Sequence, residues 1–252
     1  MLDHITPLIL TRDEEANIGR TLAQLAWARE VVVVDSVSID DTLAIARTFA
    51  NVRIVSRAFD AHDVQWRFGV AQVSTPWVLT LDADYVVPEA FVSEIAALDP
   101  PPDVAGYEAA FVYAIHGRPL RAALYPPRAV LLRCGAFEIW QDGHTQRVRV
   151  DGRIERLHAR LIHDDRKDLR RFIERQRKYM RQEAAKLRKT RWHTLPVQGR
   201  IRKLRVLAPF ATLFYTLIAK RTILDGRAGW RYAFERFLAE AMLSIELFRR
   251  RG

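Results

Sequence analysis

Four consecutive valines, Val31, Val32, Val33 and Val34, stand between Glu30 and Asp35, and they constrain this chain more than any other feature. A strand with one wet face alternates apolar and polar residues. An unbroken β-branched run has no polar face to give to water, so both faces must be covered. The neighbouring segments repeat the signal. Residues 7–11 are an apolar run, residues 52–55 read as another strand, and residues 77–81 form one that ends in Asp82-Ala83-Asp84. Helix patterns lie between them, one opening in the acidic stretch 13–18, one running from Asp40-Asp41 to about Phe49, and one over residues 64–72. Strands alternating with helices of about ten residues predict βαβ units and a mostly parallel α/β sheet flanked by helices. Ligands of such sheets bind beyond the carboxyl ends of the strands, where Asp35, Asp82 and Asp84 fall.

The rest of the chain changes character twice. Residues 104–163 read as β-rich, with strands over 104–116, 129–133 and 147–150 and hairpin turn chemistry at Val150-Asp151-Gly152-Arg153. Residues 168–189 read as a helix with Leu169, Phe172, Ile173, Tyr179, Met180, Ala184 and Leu187 on one face and Arg and Lys on much of the other. Residues 192–199, containing Pro196, look like a connector. Residues 206–219 carry no charge, but a spanning helix needs about 20 apolar residues, so a re-entrant or interfacial helix is expected. After Asp225-Gly226 a second amphipathic helix presents Phe234, Phe237, Leu238, Ala241, Met242, Ile245 and Phe248 on one face. These patterns divide the chain into a catalytic domain over 1–165 and a basic, amphipathic helical extension over 166–252.

Charge follows the same division. Residues 1–100 carry 7 Lys/Arg and 15 Asp/Glu, whereas residues 101–252 carry 33 and 15. Basic segments attract either nucleic-acid phosphate or lipid headgroups. The acidic strand ends and the apolar stretch 206–219 argue against nucleic acid and for a membrane surface, although ordinary core helices would show the same apolar pattern. The single Cys134 offers no internal disulfide, and the first ten residues lack the pattern of a secretory signal, so a cytoplasmic protein is expected.

Asp82-Ala83-Asp84 is the pivotal chemistry. Two carboxylates one residue apart beyond a buried strand can serve one metal-centred site, and hard cations such as Mg²⁺ or Mn²⁺ take a few carboxylates together with substrate phosphate oxygens. TRDEEANIGRTL (residues 11–22), VVVVDSVSIDDT (31–42) and STPWVLTLDADYVVPE (74–89) together resemble the nucleotide-sugar domain of inverting family-2 glycosyltransferases. The segment RTILDGRAG (221–229) extends the likeness to the branch that builds lipopolysaccharide cores and exopolysaccharides. The resemblance implies a GT-A (Rossmann-like) fold and a nucleotide-sugar donor, UDP-sugars first among them. It also implies a lipid-linked or lipopolysaccharide-type acceptor at the inner face of the cytoplasmic membrane.

Matched by position, Thr11, Glu14 and Asp35 would line the base and ribose pocket, Asp82 would face the nucleoside, and Asp84 would hold the metal. Thr11 and Glu14 also read as a helix capping box, and Asp40 reads as a helix cap. Arg67 would reach the diphosphate. In LIHDDRKDLRR (161–171), His163 would complete the metal site and Arg166 would clamp the diphosphate, unless Asp164 and Asp165 simply start the helix. An inverting transferase also needs a base for the acceptor hydroxyl. Asp142 is the preferred candidate, with Glu138 next and His144 shaping the acceptor side, although Asp142-Gly143 is also ordinary turn chemistry. The chain departs from the family pattern at Val37, where glycine is common, at Tyr85, where an acid often follows, and after His144, where no carboxylate stands. A catalytically inactive membrane scaffold of the same fold is the alternative these departures leave open.

Overall fold

The computed structural model describes residues 1–142 and 145–249, without the side chains of residues 141, 142, 145 and 146. The chain forms two compact units, residues 1–113, 125–141 and 146–166 in the first and residues 114–124, 142–145 and 167–252 in the second.

The first unit opens with β1 (Ile5–Thr11), α1 (Ile18–Ala23), β2 (Val31–Asp35), α2 (Thr42–Ala46), β3 (Val52–Ser56), α3 (His62–Val70) and β4 (Trp77–Asp82). It continues through β5 (Tyr85–Val86), α4 (Glu89–Ala96), β6 (Val104–Ala109), β7 (Phe111–Ile115), β9 (Arg128–Arg133), β10 (Phe137–Asp142), β11 (Thr145–Val150), β12 (Arg153–Arg156) and β13 (Leu161–His163). β8 (Arg118–Pro119) belongs to the second unit. The main sheet has the order β12-β6-β9-β4-β1-β2-β3. Pairs β4-β1, β1-β2, β2-β3 and β12-β6 are parallel, and β9 runs antiparallel to both neighbours.

The four valines behave as their pattern demands. Val31 and Val33 pack into the layer that holds Ile18 and Leu22 of α1 and Phe91 and Ile95 of α4. Val32 and Val34 pack on the opposite face with Trp66 of α3, Val78 and Leu132. All four are fully buried, and each such side chain contributes about 1.5–2 kcal/mol. That apolar core holds the strands in place and so fixes where their carboxylate-bearing ends lie.

Three local expectations are corrected. Residues 104–116 are two strands, because the chain leaves the main sheet after Ala109 and β7 pairs instead with β13, whose other neighbour is β5. The Val150–Arg153 turn closes no hairpin. Gly152, at φ 138°, passes so close to Ala105 that a Cβ there would lie 2.8 Å from the alanine Cβ, and β12 then pairs parallel with β6. The helix expected to open in the stretch 13–18 opens only at its last residue, Ile18, and residues 13–17 are loop.

The second unit is helical, with α5 (Leu169–Lys189), α6 (Val197–Lys203), α7 (Leu207–Phe214) and α8 (Gly226–Phe248). Asp168 caps α5 by accepting from Arg171 N at 2.8 Å, so Asp164 and Asp165 do not start that helix. The expected connector 192–199 is partly helical, because Pro196 sets the start of α6. Met180, Ala184 and Leu187 of α5 pack with Leu195 and with Leu243 and Leu247 of α8. Arg202 of α6 pairs with Glu240 at 2.6 Å and Glu183 at 3.4 Å. α7 continues through a π turn (Tyr215–Ala219) to an elbow, and the α7–α8 pair bends by 71°. At that elbow Gly229 lies so close to the Thr222 carbonyl oxygen that a Cβ would meet it at 1.7 Å.

Candidate active site

The site forms where strands β2, β1 and β4 end side by side. Register pairs Thr11 with Asp35 and Leu10 with Asp82, so the Thr11, Asp35 and Asp82 backbones form a row across the sheet edge. Two loops above this row are laced together. Asp13 N donates to Ser38 Oγ at 2.9 Å, Glu14 N to Thr42 Oγ1 at 2.7 Å, and Ile39 N to Asp13 Oδ1 at 2.9 Å. Asp40 accepts from Thr42 N at 3.0 Å, which secures the first turn of α2 as a cap does.

Asp35 is fully buried, and its carboxylate accepts from Ser38 N and Ser38 Oγ. Thr11 ends β1 and caps no helix. Its Oγ1 is buried with no hydrogen-bond partner among the described residues, the kind of polar atom a ligand satisfies. Glu14 accepts from Asn17 Nδ2 at 2.9 Å. Val37 stands in the left-handed region at φ 62°, where a β-branched side chain is strained and the usual glycine would be at ease. Arg67 lies on the exposed side of α3, where Asp63 holds it at 3.0 Å.

Asp82 and Asp84 differ sharply in their surroundings. The Asp82 side chain is 42% exposed, whereas that of Asp84 is 9% exposed and lies 3.4 Å from His163 Nε2. β13 makes this approach possible by pairing antiparallel with β5, which sets His163 opposite Tyr85, and Asp164 N then donates to Asp84 O at 3.1 Å. Tyr113 stacks on the His163 ring at 4.6 Å between centroids, and Tyr125 leans on it at 5.0 Å, fixing its orientation. Two ligands on adjacent positions of a hard cation stand about 3 Å apart, so Asp84 and His163 fit one ion. Among the described residues no third His, Cys, Asp or Glu joins them. The remaining positions would fall to phosphate oxygens and water, as is usual for Mg²⁺.

Arg166 is present at the site and tied down, with Nε donating to the Asp164 carboxylate at 3.1 Å and its backbone N to Asn17 Oδ1 at 3.1 Å. Its side chain remains 45% exposed. Asp142 closes β10, but its side chain, like the whole of His144, lies outside the described residues. Glu138 is paired with Arg149 at 2.7 Å and points into solvent.

Sequence reasoning missed two cations. Arg20 of α1 donates to the Asp164 carboxylate at 3.0 Å and to the Asp164 carbonyl at 2.6 Å, and burial pulls its pKa below the usual arginine value. It sits inside the TRDEEANIGRTL segment, but its partner is 144 residues away. Arg128 begins β9 with Nη1 3.7 Å from Asp82. It donates to Tyr125 OH at 2.9 Å and Tyr85 OH at 3.3 Å, and the two phenols lie 2.6 Å apart. Burial pushes the Tyr85 phenol far above its ordinary range and Tyr125 up to about 12, with Asp82 adding to both. Burial works against the charge on Arg128, but the two phenols and Asp82 more than offset it and hold its pKa above the ordinary value.

Comparison with known proteins meets this geometry over the same strands. The family model described as Glycosyl transferase family 2 matches residues 8–113, which span β1 through most of β7. Residues 8–113 are thus similar to a family 2 glycosyl transferase domain. Relatives of this domain include the lipopolysaccharide core biosynthesis glycosyltransferase LpsC of Rhizobium meliloti, 30% identical over 32% of this chain and 31% of LpsC. An uncharacterized glycosyltransferase of Rickettsia typhi is 33% identical over 36% of this chain and 31% of its own. The matched segment thus spans about a third of the length of these relatives. Among solved structures, S. aureus TarS 1-349 in complex with UDP-GlcNAc aligns over 94% of this chain and 81% of its own at 16% identity, with a TM-score of 0.49. Glucosyl-3-phosphoglycerate synthase from Mycobacterium tuberculosis aligns over 43% of each chain at 20% identity, with a TM-score of 0.36. Both structural likenesses are distant in sequence.

Proposed function

We propose that the chain is a metal-dependent, inverting glycosyltransferase that moves a sugar from a nucleotide-sugar donor, a UDP-sugar first, to a lipid-linked or lipopolysaccharide-type acceptor. One observation carries this reading. The first unit gathers Thr11, Asp35 and Asp82 along one sheet edge and brings His163 to 3.4 Å from Asp84. The lipopolysaccharide part draws support from the likeness to LpsC.

Each residue has a task in this reading. Thr11 Oγ1 and the loops braced by Asp13, Ser38 and Thr42 receive the nucleoside, with Glu14 and Asp35 shaping the pocket. Asp84 and His163 would hold Mg²⁺ or Mn²⁺, and the bound ion would supply positive charge against the leaving diphosphate. Arg20 and Arg166 set positive charge beside Asp164, with Arg166 exposed enough to reach phosphate and Arg67 as a more distant candidate. Asp142 is the proposed base for the acceptor hydroxyl.

The second unit supports a membrane setting. α8 buries Tyr232, Leu243 and Leu247 together with Glu235, Glu240 and Ser244, and it leaves Phe234, Ile245 and Phe248 about half exposed. Leu207, Phe214, Tyr215, Ile218 and Trp230 add to the exposed apolar surface, and Lys220, Arg221 and Arg227 punctuate the elbow. A patch of this kind is uncommon on a monomer in water. No single described helix is long and apolar enough to cross a membrane, although the bent α7–α8 pair passes that test together. Residues 166–205 carry 16 Lys/Arg against 3 Asp/Glu, and each basic group near an anionic leaflet contributes about 1 kcal/mol. We therefore place the protein on the cytoplasmic face of the inner membrane, bound to anionic lipid and not to nucleic acid.

Two assays test the reading. Wild-type protein with Mn²⁺ should transfer labelled sugar from a nucleotide-sugar panel into lipid-linked glycan, whereas binding of donor without any transfer would make it a scaffold. On anionic vesicles the protein should sediment and be only partly released by high salt, because apolar insertion survives screening. The triple variant Phe214→Glu, Ile218→Glu, Trp230→Glu should be stripped almost completely. Wild-type protein that ignores anionic vesicles would refute the membrane setting.

A further inference from the structure

We infer that Arg128 is a specificity residue that recognises a carboxylate or phosphate on the saccharide side of the site. The order of the strands sets the direction in which a bound donor lies. The nucleoside pocket sits at the ends of β1 and β2, the Asp82-Ala83-Asp84 turn follows β4, and β9 is the next strand outward. A nucleotide-sugar laid across these ends, with its base at β1 and β2 and its diphosphate at Asp84, extends its sugar toward β9. Because β9 runs antiparallel to β4, its first residue, Arg128, lies at the end of β4, beside Asp82. This inference therefore rests on the donor-site reading above.

The guanidinium is held in a way that leaves one edge for a ligand. Nη1 makes both of its protein hydrogen bonds, to Tyr125 OH at 2.9 Å and Tyr85 OH at 3.3 Å. Asp82 is 3.7 Å from the same Nη1, beyond hydrogen-bond distance, and its side chain is itself 42% exposed. Nε and Nη2 make no hydrogen bond among the described residues, and neither is a sealed, waterless donor. That Nε–Nη2 edge is the fork that binds a carboxylate or phosphate with two parallel hydrogen bonds.

The phenols explain why the fork is rigid. Tyr85 is fully buried against Phe111, and Tyr125 packs edge-on against Phe111 at 4.9 Å. A carboxylate at position 85 would have pulled the guanidinium inward as a direct ion pair. A neutral phenol positions Nη1 and leaves most of the positive charge for a ligand. Selectivity of this kind follows from charge pairing, since a neutral hydroxyl in the same place accepts at most one of the two parallel hydrogen bonds and brings no opposite charge.

The anion could belong to the transferred sugar or to the acceptor, and two titrations on the full-length protein with Mn²⁺ separate these sources. In the donor arm the affinity of UDP-glucuronate is compared with that of UDP-glucose. In the acceptor arm, with UDP saturating, glucuronate and glucose 6-phosphate are compared with glucose. One arm should show the charged ligand binding at least tenfold tighter than the neutral one. Arg128→Gln should erase that preference while leaving the affinity for UDP within twofold, and Arg128→Lys should keep only part of it. A preference in neither arm, or one that survives Arg128→Gln, overturns the inference while UDP binding leaves the donor site standing. Absence of any UDP response with Mn²⁺ overturns both.

Discussion

Replacing Arg20 with methionine should destabilise the protein by about 2–3 kcal/mol and loosen the candidate metal pair without touching it. Arg20 donates twice to Asp164, whose side chain is 3% exposed, while Arg20 itself is 20% exposed. Breaking a fully buried ion pair by removing one partner costs about 3–5 kcal/mol, because a charge is left uncompensated. Here the cost is lower, since Arg166 still reaches the same carboxylate at 3.1 Å and Arg20 is partly wet. For a chain of this size about 1 kcal/mol corresponds to roughly 2–4 °C at the melting midpoint, so Arg20→Met should melt about 4–12 °C lower. Adding Asp164→Asn removes the stranded charge and should recover about half of the loss, which a double-mutant cycle reads directly. The functional consequence follows from the backbone, because Asp164 N donates to Asp84 O. Arg20→Met should therefore weaken Mn²⁺-dependent nucleotide binding more than metal-free binding. A loss under about 0.5 kcal/mol by chemical denaturation, or no recovery in the double variant, would refute the reasoning.

Other perturbations have signs fixed by backbone geometry. Val37→Gly should raise the melting temperature: the left-handed conformation costs an ordinary residue about 1–2 kcal/mol, glycine gives back about 0.5–1 in chain entropy, and Val37 is already half exposed. Calorimetry showing a lower midpoint would mean that the strain is smaller than the glycine penalty. At the α7–α8 elbow, Gly229→Ala should cost about 3 kcal/mol or more, because the new Cβ meets backbone at 1.7 Å. Gly226→Ala has open space around it but takes φ 59° and ψ −138°, a conformation that suits glycine, and should cost less, about 1–3 kcal/mol. Equal denaturation midpoints for the two variants would contradict the elbow geometry.

What the sequence displays depends on how local each cause is. The valine run shows a doubly covered strand because covering both faces leaves no polar position, and its side chains divide 31/33 and 32/34 between the two layers. Asp35, Asp82 and Asp84 are legible as strand-end carboxylates because their places follow from the strand runs just before them. Arg20 and Arg128 are not legible, since their importance comes from Asp164 and Asp82, residues met only through β13 and β9. The break at Ala110 and the crossing at Gly152 are likewise set by tertiary pairing, which overrides an apolar run and a turn-like tetrapeptide. In α8 the apolar face could be read by period, but the exposure of Phe234, Ile245 and Phe248 within it could not. Buried partners such as Arg202 turn Glu240 inward, and no local pattern announces them.

The central claim is that Asp84 anchors a metal ion for a nucleotide-sugar at the end of β4. It is tested most directly by melting wild-type and Asp84→Asn protein with UDP-sugars, with and without Mn²⁺. A ligand that binds only the folded state raises the midpoint, by about 2.7 kcal/mol of added stability at a hundredfold excess over Kd. Wild-type protein should show a UDP-sugar shift that requires Mn²⁺. Asp84→Asn should melt near the wild type without ligand, because the valine core is intact, and should show no Mn²⁺-dependent shift. An Asp84→Asn protein that keeps the full Mn²⁺-dependent shift would contradict the account.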